Sequence, residues 1–438
     1  MSVPNQPRNN KENNQGTDRL LDQIVSRENM TRAYQRVLRN KGSSGIDNME
    51  VSELKPYLGE HWSKIKESLL NGSYEVQGIK AVEIPKQSGG TRLLGIPTVL
   101  DRLIQQAIHQ QLELIYDPDF SERSYGFRRG RSTRQAVRQA KKYVSTGNRW
   151  LVNIDLSKFF DEVNHDRLIS KLRKKVLDRR VIHLIERYLR AGMLQGGLVS
   201  KRQKGTPQGS PLSPLLSNIV LDELDKEMEK RGHCYVRYAD DFQIYARSRR
   251  SAERVMENLK RYISEQLKLK VNEDKSQVSR PWESEFLGYS FTTLKEGQLK
   301  VSQSSLSRFK RKVRSLFRKG KGRNLGRFIR EDLNPVLRGW MNYFSASDTK
   351  GFTQLLDQWI RRRLRKVIWQ QQKRRWTRLQ ALLKRGLSEE RAVQSVFNQR
   401  GPWWNSGARH MNQAYPKRYF EQLQLLSLTQ LHRKYYLT

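Results

Sequence analysis

Tyr238-Ala239-Asp240-Asp241 sits between two short apolar runs, Cys234–Val236 and Phe242–Tyr245. Runs of that length around a short polar turn predict a β-hairpin, and its tip then carries two adjacent carboxylates. Such a pair can hold divalent cations, and two ions about 3.5–4 Å apart support nucleotidyl transfer. One activates a 3′-hydroxyl; the other offsets the triphosphate and the departing pyrophosphate. Read alone, the four residues also describe an acidic turn facing solvent. The chemistry needs a third carboxylate from a neighbouring strand. In Leu151-Val152-Asn153-Ile154-Asp155-Leu156, strand alternation sets Asn153 and Asp155 on one face and Val152, Ile154 and Leu156 on the other. An acid on so apolar a strand is costly unless it is paired or metal-bound, which makes Asp155 the candidate. The alternative use for Asp155 is as the cap of a helix starting near Ser157.

Hydrophobic spacing supplies the elements that must position these acids. Residues 1–17 are rich in Asn and Gln and nearly devoid of large apolar side chains, the composition of a disordered leader. From about Asp18 to Leu70 apolar residues recur at helical spacing, with a break at Gly42–Gly45. Ala81–Ile84 and Thr91–Leu94 flank Pro85-Lys86-Gln87-Ser88-Gly89-Gly90 and predict a hairpin with a basic tip. Leu103, Ile104, Ala107, Ile108, Leu112 and Ile115 form one stripe of a helix over 101–116. Trp150–Leu156 is a buried strand, 166–194 is mainly helical, and Leu215–Lys230 is a helix after the Gly/Pro-rich loop 205–214. A helix over 251–267 follows the carboxylate hairpin, and short strands are expected at Gly288–Thr292 and Leu299–Val301.

The character changes near Ser304. Residues 308–330 hold eleven Lys or Arg and no acid. Residues 357–379 place nine basic side chains around a stripe of Trp359, Ile360, Leu364, Val367, Ile368 and Trp376. One basic amphipathic helix describes a solvated face; two in succession, with Trp and Tyr interleaved, point to a nucleic-acid surface.

Composition agrees. A chain of 438 residues is too long for one core, so two to four domains are expected. Its 84 Lys and Arg against 44 Asp and Glu give a net charge of +40, which calls for a polyanionic partner, and an extended nucleic acid fits best. The single cysteine, Cys234, excludes an intramolecular disulfide framework and a cysteine-cluster zinc module. The seven His are scattered without close ligand spacing, so a His-rich nuclease metal site is unsupported. No stretch is apolar enough to span a membrane, and the N-terminus lacks a signal-peptide pattern, so a cytoplasmic protein without a membrane partner is expected.

Three motifs occur in order: Leu156-Ser157-Lys158-Phe159-Phe160-Asp161, then Gly205-Thr206-Pro207-Gln208-Gly209-Ser210-Pro211-Leu212-Ser213-Pro214, then Tyr238–Asp241. The set closely resembles the reverse transcriptases encoded by bacterial group II introns, the bifunctional maturases. Ile84-Pro85-Lys86, Gly90-Thr91-Arg92, Ser124-Tyr125-Gly126-Phe127-Arg128, Leu269–Ser276 and Phe286–Phe291 extend the likeness over roughly residues 20–375. It implies an α+β, right-hand polymerase fold: fingers and palm with an antiparallel sheet over 18–300, a helical thumb or maturase domain over 301–376, and a basic C-terminal DNA-binding region over 377–438.

The resemblance also assigns roles. Asp155, Asp240 and Asp241 match the catalytic carboxylates, with the Leu156 backbone carbonyl as a further ligand to two Mg²⁺ ions (Mn²⁺ suits the same acids). Phe160 matches the aromatic under the incoming sugar, which leaves no room for a 2′-hydroxyl; an ordinary core position is its alternative. Lys86 and Arg92 match a triphosphate clamp, and Gln208 and Gly209 a segment near the templating base. Lys275 matches a basic position with a role in proton delivery or phosphate contact. Arg128, Arg361, Arg362, Arg365, Lys373 and Arg374 are candidate nucleic-acid contacts. The implied partners are an RNA template, group II intron RNA foremost, a DNA or RNA primer, and target DNA. The helical region before the Gly-rich hairpin and the stretch 166–203 match expansions that retroviral enzymes lack. Many relatives continue into a metal-dependent endonuclease. With no cysteine pairs or His cluster before Thr438, an endonuclease-free protein priming from pre-existing 3′ ends is expected.

Three other functions stay open at this level: an RNA-folding cofactor that has lost polymerisation, a freestanding polymerase of this type recruited to DNA repair, and an RNA-directed RNA polymerase. Three acids facing an RNA polyanion serve no purely binding role and argue against the first. Phe160 weighs against the last.

Overall fold

The computed structural model describes residues 17–85, 91–195, 198–200, 204–294, 296–320 and 322–436. These fall into two compact units, Met1–Ala136 with Asn148–Ser279, and Val137–Gly147 with Arg280–Thr438. Most of the expected leader lies outside the described residues, but Thr17 is buried and its carbonyl accepts a hydrogen bond from Asp178 N at 2.9 Å.

The strands of the first unit are, in chain order, β1 (Ile79–Pro85), β2 (Thr91–Ile96), β3 (Trp150–Ile154), β4 (Met193–Gln195), β5 (Leu198–Ser200), β6 (Cys234–Tyr238), β7 (Asp241–Ala246) and β8 (Gln277–Ser279). They make two sheets, ordered β2-β1-β4-β5 and β6-β7-β3-β8, and the second is antiparallel throughout. The expected alternation on β3 holds. Val152 and Ile154, with Leu156 just past the strand, enter the core beside Phe242 and Ile244, while Asn153 and Asp155 stay partly exposed. The helices Ser213–Lys230 and Arg249–Glu265 cover this core with Leu216, Leu224, Val255 and Leu259. Each such aliphatic side chain contributes about 1.5–3 kcal/mol on burial.

The helix expected over 101–116 runs Val99–Tyr116, two residues earlier, because the Thr98 hydroxyl accepts from Asp101 N at 3.1 Å and caps it. Asp101 itself is buried and accepts from Tyr74 (2.8 Å), Thr98 (2.8 Å) and Tyr188 (3.1 Å); burial pushes its carboxyl above the usual range. The stretch 166–194 differs from expectation at its end. Two helices, His165–Arg173 and Arg179–Arg190, are followed by β4, because the Gly192 carbonyl accepts from Ile79 N at 2.9 Å and draws the next residues alongside β1.

The second unit is a β-hairpin, β9 (Tyr289–Phe291) with β10 (Leu299–Val301), followed by helices, the longest being Gln303–Lys319 and Gly351–Gln371. Ile360, Leu364, Val367 and Ile368 are buried as the stripe predicts. Trp376 does not belong to it. The helix ends at Gln371, and Trp376 is 68% exposed at the start of the next one, Arg375–Lys384. Buried Asp357 caps the helix Leu428–Tyr436 from a distance, accepting from Leu428 N (2.8 Å), Thr429 N (3.2 Å) and the hydroxyls of Ser427 and Thr429 (2.8 and 2.9 Å). Asp357→Ala is therefore expected to cost about 2–4 kcal/mol, read as a lower melting temperature with earlier proteolysis of the C-terminal segment. Melting and cleavage identical to wild type would show that this clamp carries no stability.

Candidate active site

In the β6–β7 register Tyr238 pairs with Asp241, which leaves Ala239 and Asp240 as a two-residue turn. Ala239 has φ +60°, a value that favours glycine at the first position of such a turn. What holds an alanine there is Arg237. Its Nη1 donates to the Ala239 carbonyl at 2.9 Å and to Asn218 Oδ1 at 2.9 Å, and its Nε donates to Asp225 at 2.8 and 3.0 Å. Arg237 and Asp225 are both fully buried. Burial works against the guanidinium charge, but Asp225 beside it holds the group above its ordinary value.

A second segment locks the same turn. Arg237 N donates to the Arg123 carbonyl and Tyr125 N to the Arg237 carbonyl, both at 2.9 Å, while Asn218 Nδ2 donates to the Gly126 carbonyl at 2.9 Å. Gly126 lies so close that a Cβ on it would sit 2.2 Å from Ala239 N. None of this network was expected from the sequence.

β3 pairs with β7 so that Ile154 faces Phe242, and the register carried one step further sets Asp155 opposite Asp241. Asp155 does not cap a helix, because the next one begins at Phe159 with Lys158 as its cap residue. The segment 270–276 wraps it instead. Ser157 N donates to the Lys270 carbonyl, Asn272 N to the Asp155 carbonyl, and Asp155 N to Ser276 Oγ. Asn272 Nδ2 donates to the Asp155 carboxylate at 3.0 Å, and Lys275 Nζ stands 3.8 Å from the same oxygen. Lys275, which the sequence offered for proton delivery or phosphate contact, thus stands beside Asp155; Asn272 was not singled out. The Leu156 side chain is buried and its residue bridges to Val271, so only its backbone is available to the site.

Phe160 is half-buried, edge-on to buried Phe159 at 5.4 Å. The loop after Lys204 is folded against it. Thr206 N donates to the Phe160 carbonyl at 2.6 Å, and Gly205, at φ +90°, comes so close that a Cβ would meet Asp161 Cα at 2.8 Å. Farther along, Gly95 N of β2 donates to the Gln208 carbonyl at 2.8 Å, and Gly209, at φ +117°, leaves 2.8 Å between a notional Cβ and the Gly95 carbonyl. One continuous backbone path therefore joins the first sheet, the loop, Phe160 and the end of β3. Arg92 lies on β2 opposite Ile84, and Lys86 is outside the described residues.

Two expected nucleic-acid contacts are internal braces instead. Arg128 is buried, with Nε on Asp117 at 2.7 Å, Nη1 on the Ser121 and Ser124 carbonyls, and Nη2 on the Asp117 carbonyl. Arg365 is buried too, donating to the Tyr415 carbonyl at 3.0 Å and lying over Phe420; burial draws its guanidinium down to about 10. Arg362 is half-buried over the Trp403 ring at 4.1 Å, Arg361 is half-buried, and Lys373 and Arg374 are exposed.

Asp155, Asp240 and Asp241 offer hard carboxylate oxygens at one end of the β6-β7-β3 sheet, a donor set suited to divalent cations. The strand register brings their backbones to the same end of that sheet. Among the described residues, though, no three His, Cys, Asp or Glu side chains are gathered closely enough to hold one. No helix among them is long and apolar enough to cross a membrane.

A family model for reverse transcriptase (RNA-dependent DNA polymerase) matches residues 84–291, and one for the group II intron maturase-specific domain matches 306–385. The chain is 31% identical over 300 residues to Protein YkfC of Escherichia coli K12, across 59% of this chain and 79% of that protein. It is 32% identical over 336 residues to the group II intron-encoded protein LtrA of Lactococcus lactis subsp. cremoris, across 62% of this chain and 56% of that one. A putative COX1/OXI3 intron 2 protein of Saccharomyces cerevisiae is 27% identical over 406 residues, across 71% and 47%. The chain thus spans about half the length of these two intron relatives.

Proposed function

We propose that this chain, which belongs to the reverse transcriptases carrying a group II intron maturase domain, extends a primer 3′ end on an RNA template through Asp155, Asp240 and Asp241. Its enzyme class is RNA-directed DNA polymerase, and its family works with divalent metal ions on nucleic-acid substrates. The observation that carries the assignment of the acids is the strand register that sets Asp155 opposite Asp241, beside the turn bearing Asp240.

Two Mg²⁺ ions held by these acids and the Leu156 carbonyl would supply an activated 3′-hydroxyl and charge neutralisation on the triphosphate. The protein's own residues then do the positioning. Asn272 and Lys275 orient the Asp155 carboxylate. Lys86 and Arg92 hold the triphosphate, and the Gln208–Gly209 backbone supports the nascent pair. Arg361, Arg362, Lys373 and Arg374 contact the nucleic acid. The RNA partner is group II intron RNA, whose splicing the maturase domain assists. Primer extension tests the reading: a DNA primer on an RNA template with dNTPs and Mg²⁺ should give cDNA with wild type and none with Asp240→Ala. A folded, RNA-binding wild type that makes no product would sink it in favour of an RNA-folding cofactor.

Phe160 sets the sugar preference in this reading. Phe160→Val is expected to raise the relative kcat/KM for ribonucleotides by about 10- to 200-fold, the range of one small steric change in an apolar pocket. Single-nucleotide incorporation kinetics measure it, and an unchanged ratio in a folded variant would return Phe160 to the core.

A further inference from the structure

Phe127 is a large aromatic side chain that the fold holds in solvent at a backbone cost. It is 48% exposed, and its φ of +58° is one that non-glycine residues seldom adopt. Its neighbours leave it no freedom. Gly126 is pinned by Asn218 and lies against the Tyr238–Ala239 backbone, where its notional Cβ would be 2.9 Å from Tyr238 C. Arg128 is buried with its guanidinium fully engaged, and Tyr125 is buried with its N–H on the Arg237 carbonyl. A rigid segment stacked on the turn that carries Asp240 therefore presents one apolar ring, with exposed Arg129 two residues past it. Strained, exposed residues of this kind persist where they contact something.

We propose that the Phe127 ring packs against the 3′-terminal nucleotide of the primer and holds it at the carboxylate turn. This rests on the polymerase reading. The primer end is the part of the substrate that must lie against that turn for its hydroxyl to be reached, and aromatic faces stack on terminal bases without regard to sequence. Phe127 is thus a substrate-positioning residue, one the sequence placed within a motif without giving it a task.

The strain makes the test clean. Phe127→Gly removes the ring and relieves the left-handed backbone, so it should melt at or above the wild-type temperature. Its KM for primer–template should nevertheless rise by about 5- to 150-fold, the range for loss of one base–aromatic stack, with a smaller change in kcat. Phe127→Trp should restore the KM. A primer with an abasic 3′-terminal residue should be extended more weakly by wild type, whereas Phe127→Gly should scarcely distinguish it from a normal primer. A stable Phe127→Gly enzyme with wild-type KM, or with the wild-type penalty for the abasic end, overturns the inference. A wild type that extends neither primer overturns the polymerase reading and this inference with it.

Discussion

Asp240→Asn is expected to lower kcat for primer extension by about three to four orders of magnitude while leaving the fold and RNA binding intact. Asp240 occupies the two-residue turn rather than a strand, is only partly buried, and has no part in the core. An isosteric amide there asks nothing new of the packing. What it removes is one hard anionic ligand from a site whose ions supply several kcal/mol of transition-state stabilisation, at tenfold in rate per about 1.36 kcal/mol. Single-turnover extension alongside thermal melting and filter binding to RNA separates the terms. Melting and binding unchanged with extension lost assigns Asp240 to the chemistry. Extension within tenfold of wild type would remove it from the ligand set. Asp155→Asn should behave less cleanly, because Asn272 donates to that carboxylate and Lys275 stands beside it, so some loss of order in 270–276 accompanies the loss of rate.

The parts of this site that the sequence made legible are those governed by local periodicity. Alternation on β3 put Asp155 on the side away from Val152 and Ile154, and two apolar runs around Tyr238–Asp241 required a hairpin. The Gly/Pro-rich loop 205–214 was readable as a loop, and its Gly205 and Gly209 both have positive φ with another segment within contact. Residues whose meaning depends on what a distant segment brings to them were not legible. Arg128 and Arg365 sit in basic surroundings and invite a phosphate, yet the first is taken up by Asp117 and the carbonyls of Ser121 and Ser124, and the second by the Tyr415 carbonyl. Trp376 continues a helical spacing that the chain abandons at Gln371. Arg237 is the sharpest case. An arginine in a strand suggests a solvent face, and only the packing of the helix Ser213–Lys230 across that strand shows Asp225 and Asn218 waiting for it.

The Arg237 network separates two roles that a single substitution would confuse. Arg237→Met leaves Asp225 buried without its partner, and breaking a fully buried pair in this way should cost about 3–5 kcal/mol. Activity will fall with stability, which by itself says nothing about the turn. Arg237→Met with Asp225→Leu removes both charges and should recover most of that stability, since apolar groups of similar volume commonly replace a buried ion pair at little cost. What the double variant cannot recover is the donor to the Ala239 carbonyl, the contact that holds an alanine at φ +60° immediately before Asp240. It should therefore melt near wild type yet extend primers about 10- to 100-fold more slowly, the usual cost of losing a partner that orients a ligand. Its Mg²⁺ requirement should rise in step, because a turn free to relax no longer presents Asp240 and Asp241 in one arrangement. Equal recovery of stability, rate and Mg²⁺ dependence would reduce the pair to a brace of the core. Recovery of stability alone makes Arg237 a residue that acts through the carboxylate turn, with its charge serving the fold and its fork of donors serving the site.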